Sequence, residues 1–152
     1  MRRLSAVAVA AAVLVVLGAT ACGGTTRVAS TDPLCAAVYE PRELVDSGPL
    51  YPPLPAVADG TRGETRSTDA AAIKKVAAAA CDLPEPPPDP VCTAELGPSY
   101  RLRFTDTANR TTTLTAAAYG CQFVEGLATE RAGARPLWEA LAAAGLPGPG
   151  AR

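Results

Sequence analysis

Five cysteines carry most of the chemistry this chain can offer. Four of them, Cys35, Cys81, Cys92 and Cys121, lie in the body of the sequence, separated successively by 46, 11 and 29 residues. None of these spacings is a C-x-x-C, the arrangement that favours thiol exchange or places two sulfurs on one metal ion, so the four suit structural disulfides. The chain has no histidine, which removes the Ser-His-Asp and Cys-His nucleophiles, the imidazole general base and the common zinc sites. Its glycines form neither G-x-x-x-x-G-K-[ST] nor a strand-linked G-x-G-x-x-G, so no phosphate-binding loop is present. A Ser/Lys dyad through Lys74 or Lys75 has no motif behind it, and the solvated side of an amphipathic helix explains both lysines more simply. Paired carboxylates of the glycosidase kind remain open. The candidates Asp82, Glu85 and Asp89 fall in a proline-rich connector, where solubility is the simpler role. These residues point to a chain that is not an enzyme and needs no cofactor.

Cys22 is the odd cysteine, and its surroundings give it a role. Arg2 and Arg3 precede an apolar run from Leu4 to Leu17 broken only by Ser5, long enough for a signal-peptide core and shorter than the roughly 20 residues of a membrane span. Gly18, Ala19, Thr20 and Ala21 follow, then Cys22. Ala19-Thr20-Ala21 fits ordinary signal cleavage, whereas a small residue directly before a cysteine resembles the lipobox of bacterial lipoproteins. Four body cysteines can pair among themselves, which leaves Cys22 unpaired in a compartment where free thiols are rare. Lipidation accounts for it. Residues 1–21 are therefore expected to be a signal peptide, and the mature protein is expected to sit on the outer face of the cell membrane through a lipid on Cys22. A soluble secreted product is the alternative. A diacylated cysteine anchors stably because each buried methylene contributes about 0.8 kcal/mol. Residues 22–31 read as the flexible tether.

Without residues 1–21 the chain keeps 12 positive and 15 negative side chains, a net −3. That mild charge argues against nucleic acid as a partner. The remaining length suits one domain over 32–146 plus a disordered tail at 147–152.

The elements that must position the cysteines are punctuated by proline. Asp32 and Pro33 read as the start of a short helix that Pro41 closes. Residues 41–66, with Pro49, Pro52, Pro53 and Pro55, read as an extended or looping segment holding at most one short strand around Glu43 to Asp46. Ser67 or Thr68 is expected to cap a helix running to Cys81, with Asp69 in its first turn. Ile73, Val76, Ala77, Ala80 and Cys81 form its apolar stripe, with Lys74 and Lys75 off it. Five prolines between 84 and 90 make a stiff connector to Cys92. Tyr100, Leu102 and Phe104 then alternate with Arg101, Arg103 and Thr105, the period of a half-buried strand. Asp106 to Asn109 read as a turn and Arg110 to Thr115 as the returning strand. A third strand around Cys121, Phe123 and Val124 and a possible fourth near Leu127 to Arg131 precede a helix from Pro136 to Ala144, which Gly145 caps. Leu137, Trp138 and Leu141 would dock it on the sheet. The fold class expected is α+β: a small antiparallel sheet of three or four strands packed against two helices, with two disulfides.

Four cysteines allow three pairings. Cys35 with Cys81 and Cys92 with Cys121 is preferred here, because the stripe of the Cys81 helix faces the core where Leu34 and Val38 need cover, and the second pair flanks the sheet. Cys81 with Cys92 across the proline tract is the competing arrangement.

The order of an apolar helix, a proline-rich link, a cysteine, the Tyr100-x-Leu102-x-Phe104 strand, a hairpin, Gly120-Cys121 and a closing helix with Trp138 and Leu141 resembles uncharacterised secreted lipoproteins of actinobacteria. The arginine-rich, alanine- and proline-rich composition of a GC-rich genome agrees with that source. The resemblance implies no activity and assigns no catalytic residue. The functional expectation is a non-enzymatic binding or structural role in the cell envelope, with an unknown envelope protein or wall component as partner. Arg101, Arg103 and Arg110 are candidates to face an anionic wall polymer. A protease inhibitor, prompted by the stiffened segment beside the cysteines, is the alternative, and an envelope hydrolase is a further one.

Overall fold

The computed structural model describes residues 32–50 and 63–149; the expected leader, Cys22 and tether, residues 51–62 of the proline-rich segment and the last three residues lie outside the described residues. The elements run in the order of a 3-10 turn Pro33–Cys35, β1 Pro41–Leu50, β2 Glu64–Ser67, α1 Ala70–Cys81, β3 Ser99–Asp106, β4 Thr111–Ala117, β5 Val124–Glu125 and α2 Arg135–Ala143. The five strands form one antiparallel sheet in the order β2-β1-β3-β4-β5. The α+β class and the two helices agree with the expectation, but the sheet has five strands where three or four were expected.

The extra strands come from the segment that proline obscured. β1 is ten residues long, bordered by Pro41 and Pro49, and its pairing with β3 shifts register between Pro41 and Glu43 and again between Ser47 and Leu50. Proline cannot donate to a ladder, so it is tolerated at strand ends and irregularities. Between those irregularities Leu44, Val45, Asp46 and Ser47 pair with β2 on one side and β3 on the other. At the other end of the sheet the expected strand over Leu127 to Arg131 is reduced to one bridge, Val124 to Arg131, and Cys121 falls in a turn outside any strand. The expected helix after Asp32 is only a single 3-10 turn, held by Asp32 Oδ1 accepting the Leu34 N–H at 2.9 Å. Asp32 Oδ2 accepts the Ala128 N–H at 3.0 Å and so ties this turn to the far loop. Leu34 is buried as expected, but Val38 is 80 % exposed: with the helix ended after one turn, nothing carries Val38 back to the core.

Both helices cover one sheet face. Asp69 turns out to be the N-cap of α1, its carboxylate accepting the N–H groups of Ala71 and Ala72, which satisfies donors that the first helical turn leaves orphaned. Ile73, Val76, Ala77 and Ala80 of α1 and Leu137, Trp138 and Leu141 of α2 are buried against Leu44, Tyr100, Leu102, Phe104, Leu114, Ala116 and Val124. Lys74 and Lys75 are exposed, and Lys74 pairs with Glu40. Tyr100 and Trp138 rings meet at a centroid distance of 5.3 Å. Each large apolar side chain moved from water into this layer contributes about 1.5–3 kcal/mol.

One glycine is required by a close approach. Gly126 has φ +102, and a Cβ there would lie 2.1 Å from the Thr113 carbonyl oxygen of β4. Gly126→Ala is expected to lower stability by about 3 kcal/mol or more, read as a lower urea midpoint. An unchanged midpoint would mean that the chain does not run this close to β4.

Candidate functional site: the open sheet face and its disulfide strap

With both helices on one side, the opposite face of the sheet presents the alternate residues of every strand. From β2 across to β5 one row reads Glu64, Ser47, Arg101, Thr115 and Glu125, and the next reads Arg66, Val45, Arg103 and Thr113. Arg101 and Arg103 are exposed, and neither makes an ion pair among the described residues. Arg110 does not join them. It sits in the β3–β4 turn, where its Nε donates to Asp106 Oδ2 at 2.7 Å. Asp106 also accepts the backbone N–H groups of Ala108 and Arg110 at 2.9 and 2.8 Å. Burial opposes ionisation of Asp106, but the hydrogen bonds and charge of Arg110, with the Ala108 N–H, outweigh it and hold the carboxyl below its ordinary range. Arg110 is thus committed to building a turn in which Asn109 takes φ 61.

The segment between α1 and β3 arches beside this face. Residues 91–96 are exposed and irregular. Cys92 is bonded to Cys121, with their Cα atoms 5.0 Å apart. Between this strap and the sheet lies a cleft of about 230 Å³ lined by Thr93, Glu95, Ser99, Thr115, Tyr119, Phe123 and Glu125 together with the disulfide. The other domain cysteines, Cys35 and Cys81, are also joined, with Cα atoms 5.6 Å apart. All four body cysteines are therefore brought together in two pairs. Of the carboxylates considered in the connector, Glu85 pairs with Arg131 at 3.6 Å and accepts the Thr129 hydroxyl at 3.2 Å, Asp82 ends α1 as its C-cap, and Asp89 takes φ 54.

Sequence reasoning missed two buried titratable groups, Asp46 and Tyr39. Asp46 points from β1 into the helix-covered layer, two residues from Leu44 and level with Leu102 of β3 and Thr65 of β2. It is 0 % exposed, and neither carboxylate oxygen has a hydrogen-bond partner among the described residues. Burial pushes its pKa up to about 7, since desolvation penalises the charged form. The alternation Leu44-x-Asp46-x-Gly48 was the available signal, visible once the segment is taken as a strand. Tyr39 is likewise buried with its hydroxyl unpartnered among the described residues, and burial together with the Asp106 carboxylate pushes it up to about 12.

Among the described residues no helix is long and apolar enough to cross a membrane, and no cluster of His, Cys, Asp or Glu is placed to hold a metal ion. No protein-family model, curated protein or solved structure matches this chain.

Proposed function

We propose that this chain is an exported protein, held at the outer face of the cell membrane by a lipid on Cys22, whose domain has a non-enzymatic role and binds an envelope protein or wall component through its open sheet face. The observation that carries the binding role is the contrast between the two faces of one sheet. One is closed by both helices; the other carries buried Val45 and displays Arg101 and Arg103, which make no ion pair among the described residues, among Ser and Thr hydroxyls beside a strap fixed by a disulfide. Guanidinium groups present planar forks of donors and are more weakly hydrated than ammonium groups, and with the hydroxyls they suit a polar partner of defined shape. The anchor reading is supported by the pairing of Cys35, Cys81, Cys92 and Cys121 among themselves, which leaves Cys22 as the spare thiol of an oxidised protein.

Both halves of the reading are testable in the producing cell. A Cys22→Ala variant is expected to leave the membrane fraction, and the parent's mass should show loss of residues 1–21 with a lipid gained. A photo-crosslinking residue at exposed Thr113 on the open face should capture an envelope component, whereas one at exposed Ala142 on α2 should not. Equal capture from both positions would remove the open face as the binding surface.

A further inference from the structure

Of the large apolar side chains left in solvent, Val91 at 100 % and Leu96 at 85 % exposed stand on one short stretch. Isolated exposed apolar residues are ordinary. These two flank a cross-linked cysteine on a strap pinned at both ends. Upstream, Leu83 is buried and the Pro84 carbonyl accepts the Ala132 N–H at 2.9 Å. The prolines at 84, 86, 87, 88 and 90 then restrict the backbone, which bends at Pro88 and Asp89, where Asp89 takes φ 54. Cys92 is fixed to Cys121, and the Thr93 carbonyl oxygen lies 3.5 Å from where a Cβ of Gly120 would stand. Downstream, Gly97 lies against Tyr119, whose Cβ is 3.0 Å from a Cβ placed on the glycine, and the Pro98 carbonyl accepts the Ala118 N–H at 3.0 Å. Between these pins Ala94, Glu95 and Leu96 project into solvent without regular secondary structure.

An endopeptidase cleft takes its substrate as an extended chain with side chains seated in successive pockets, so a convex, exposed stretch of this kind presents the shape the cleft accepts. A free peptide loses conformational entropy on entering. A strap already held at Cys92 and Gly97 loses much less, which is the usual route to tight binding without new contacts. We infer that the strap 91–96 occupies and blocks the substrate cleft of an endopeptidase that prefers small or aliphatic side chains, with Ala94 or Leu96 in the primary pocket. This names the partner class for the binding role proposed above and rests on it. The cleft chemistry follows from the side chains: the strap offers Val91, Ala94 and Leu96 and no cation, so a pocket built around a carboxylate for Lys or Arg gains nothing from it.

The purified protein is titrated against subtilisin, pancreatic elastase and trypsin. Stoichiometric loss of subtilisin or elastase activity is expected, with trypsin unaffected. Ala94→Lys or Leu96→Lys, both at exposed positions, should transfer inhibition to trypsin and so identify the residue in the pocket. Cys92→Ser with Cys121→Ser should turn the inhibitor into a substrate cut within the strap. Undiminished activity of subtilisin and elastase at molar excess of intact protein overturns the inference, as does rapid cleavage between 93 and 97 with no loss of enzyme activity. If inhibition is absent while Thr113 still captures an envelope component, only the partner class falls. If both fail, the binding role falls with it.

Discussion

Asp46→Asn is expected to raise the stability of the domain at pH 8 by about 4 kcal/mol and to leave it almost unchanged at pH 4. The carboxylate sits among the core residues with neither oxygen hydrogen-bonded among the described residues, and burial takes its pKa from 3.8 to about 7. Below pH 3.8 the group is neutral in both the folded and the unfolded chain, so its charge costs the fold nothing. As pH rises from there toward 7 the unfolded chain releases the proton while the folded one keeps it, and stability declines. Above 7 the folded carboxylate is ionised as well and the loss levels off at its full value. Asparagine holds a neutral amide of the same shape and escapes the whole decline. A difference of this size corresponds to a melting temperature higher by about 15 °C in a domain of this length, measured by circular dichroism at both pH values. Asp106 works in the opposite sense: its lowered pKa contributes stability that is present at neutral pH and lost as pH falls below its ordinary range. Comparing variant with parent at each pH separates the effect of Asp46 from that of Asp106. A variant less stable than the parent at pH 8 would show that the ionised carboxylate is held by a partner.

Removing the Cys35–Cys81 bridge by the double substitution Cys35→Ser, Cys81→Ser is expected to cost about 4 kcal/mol in the loop-entropy model. The bridge spans 46 residues, a segment that includes β1, β2 and α1, so it restrains a large part of the unfolded chain. It also holds the 3-10 turn, and with it buried Leu34, against the end of α1. For a domain whose net stability is typically only about 5–15 kcal/mol, the expected fall in melting temperature exceeds about 15 °C. The bridge Cys92–Cys121 spans 29 residues and is expected to contribute a little less, about 3.5 kcal/mol. Non-reducing peptide mapping should recover both bridged peptides from the parent. A loss of only a few degrees on removing Cys35 and Cys81 would mean that the Asp32 hydrogen bonds and Leu34 packing already confine that segment.

Local pattern was enough for the elements whose periodicity follows directly from one face meeting the core. Ile73, Val76, Ala77 and Ala80 recur at helical spacing, and Tyr100, Leu102 and Phe104 at strand spacing; all seven are buried. Asn109 in a left-handed turn and Gly145 beyond α2 with φ 71 were legible for the same reason, since few residues tolerate those backbone angles. The chemistry excluded by the lack of histidine was also decided by the residues alone. β1 was legible only around Glu43 to Asp46, because Pro41, Gly48 and Pro49 argue against a longer strand, and its ladders to β2 and β3 are formed by residues that stand next to it only in space. Asp46 shares that cause, for a carboxylate reads as surface until its strand is known to lie between two others under a helix layer. Arg110 was grouped with Arg101 and Arg103 by sequence proximity, whereas the turn gave its guanidinium to Asp106. Composition and periodicity thus determined which segments bury a face and which reactions have no residues to perform them. Tertiary pairing alone decided which carboxylate was stranded in the core, which arginines make no ion pair among the described residues and where the strap was pinned, because each depends on contacts between residues that the chain itself holds far apart.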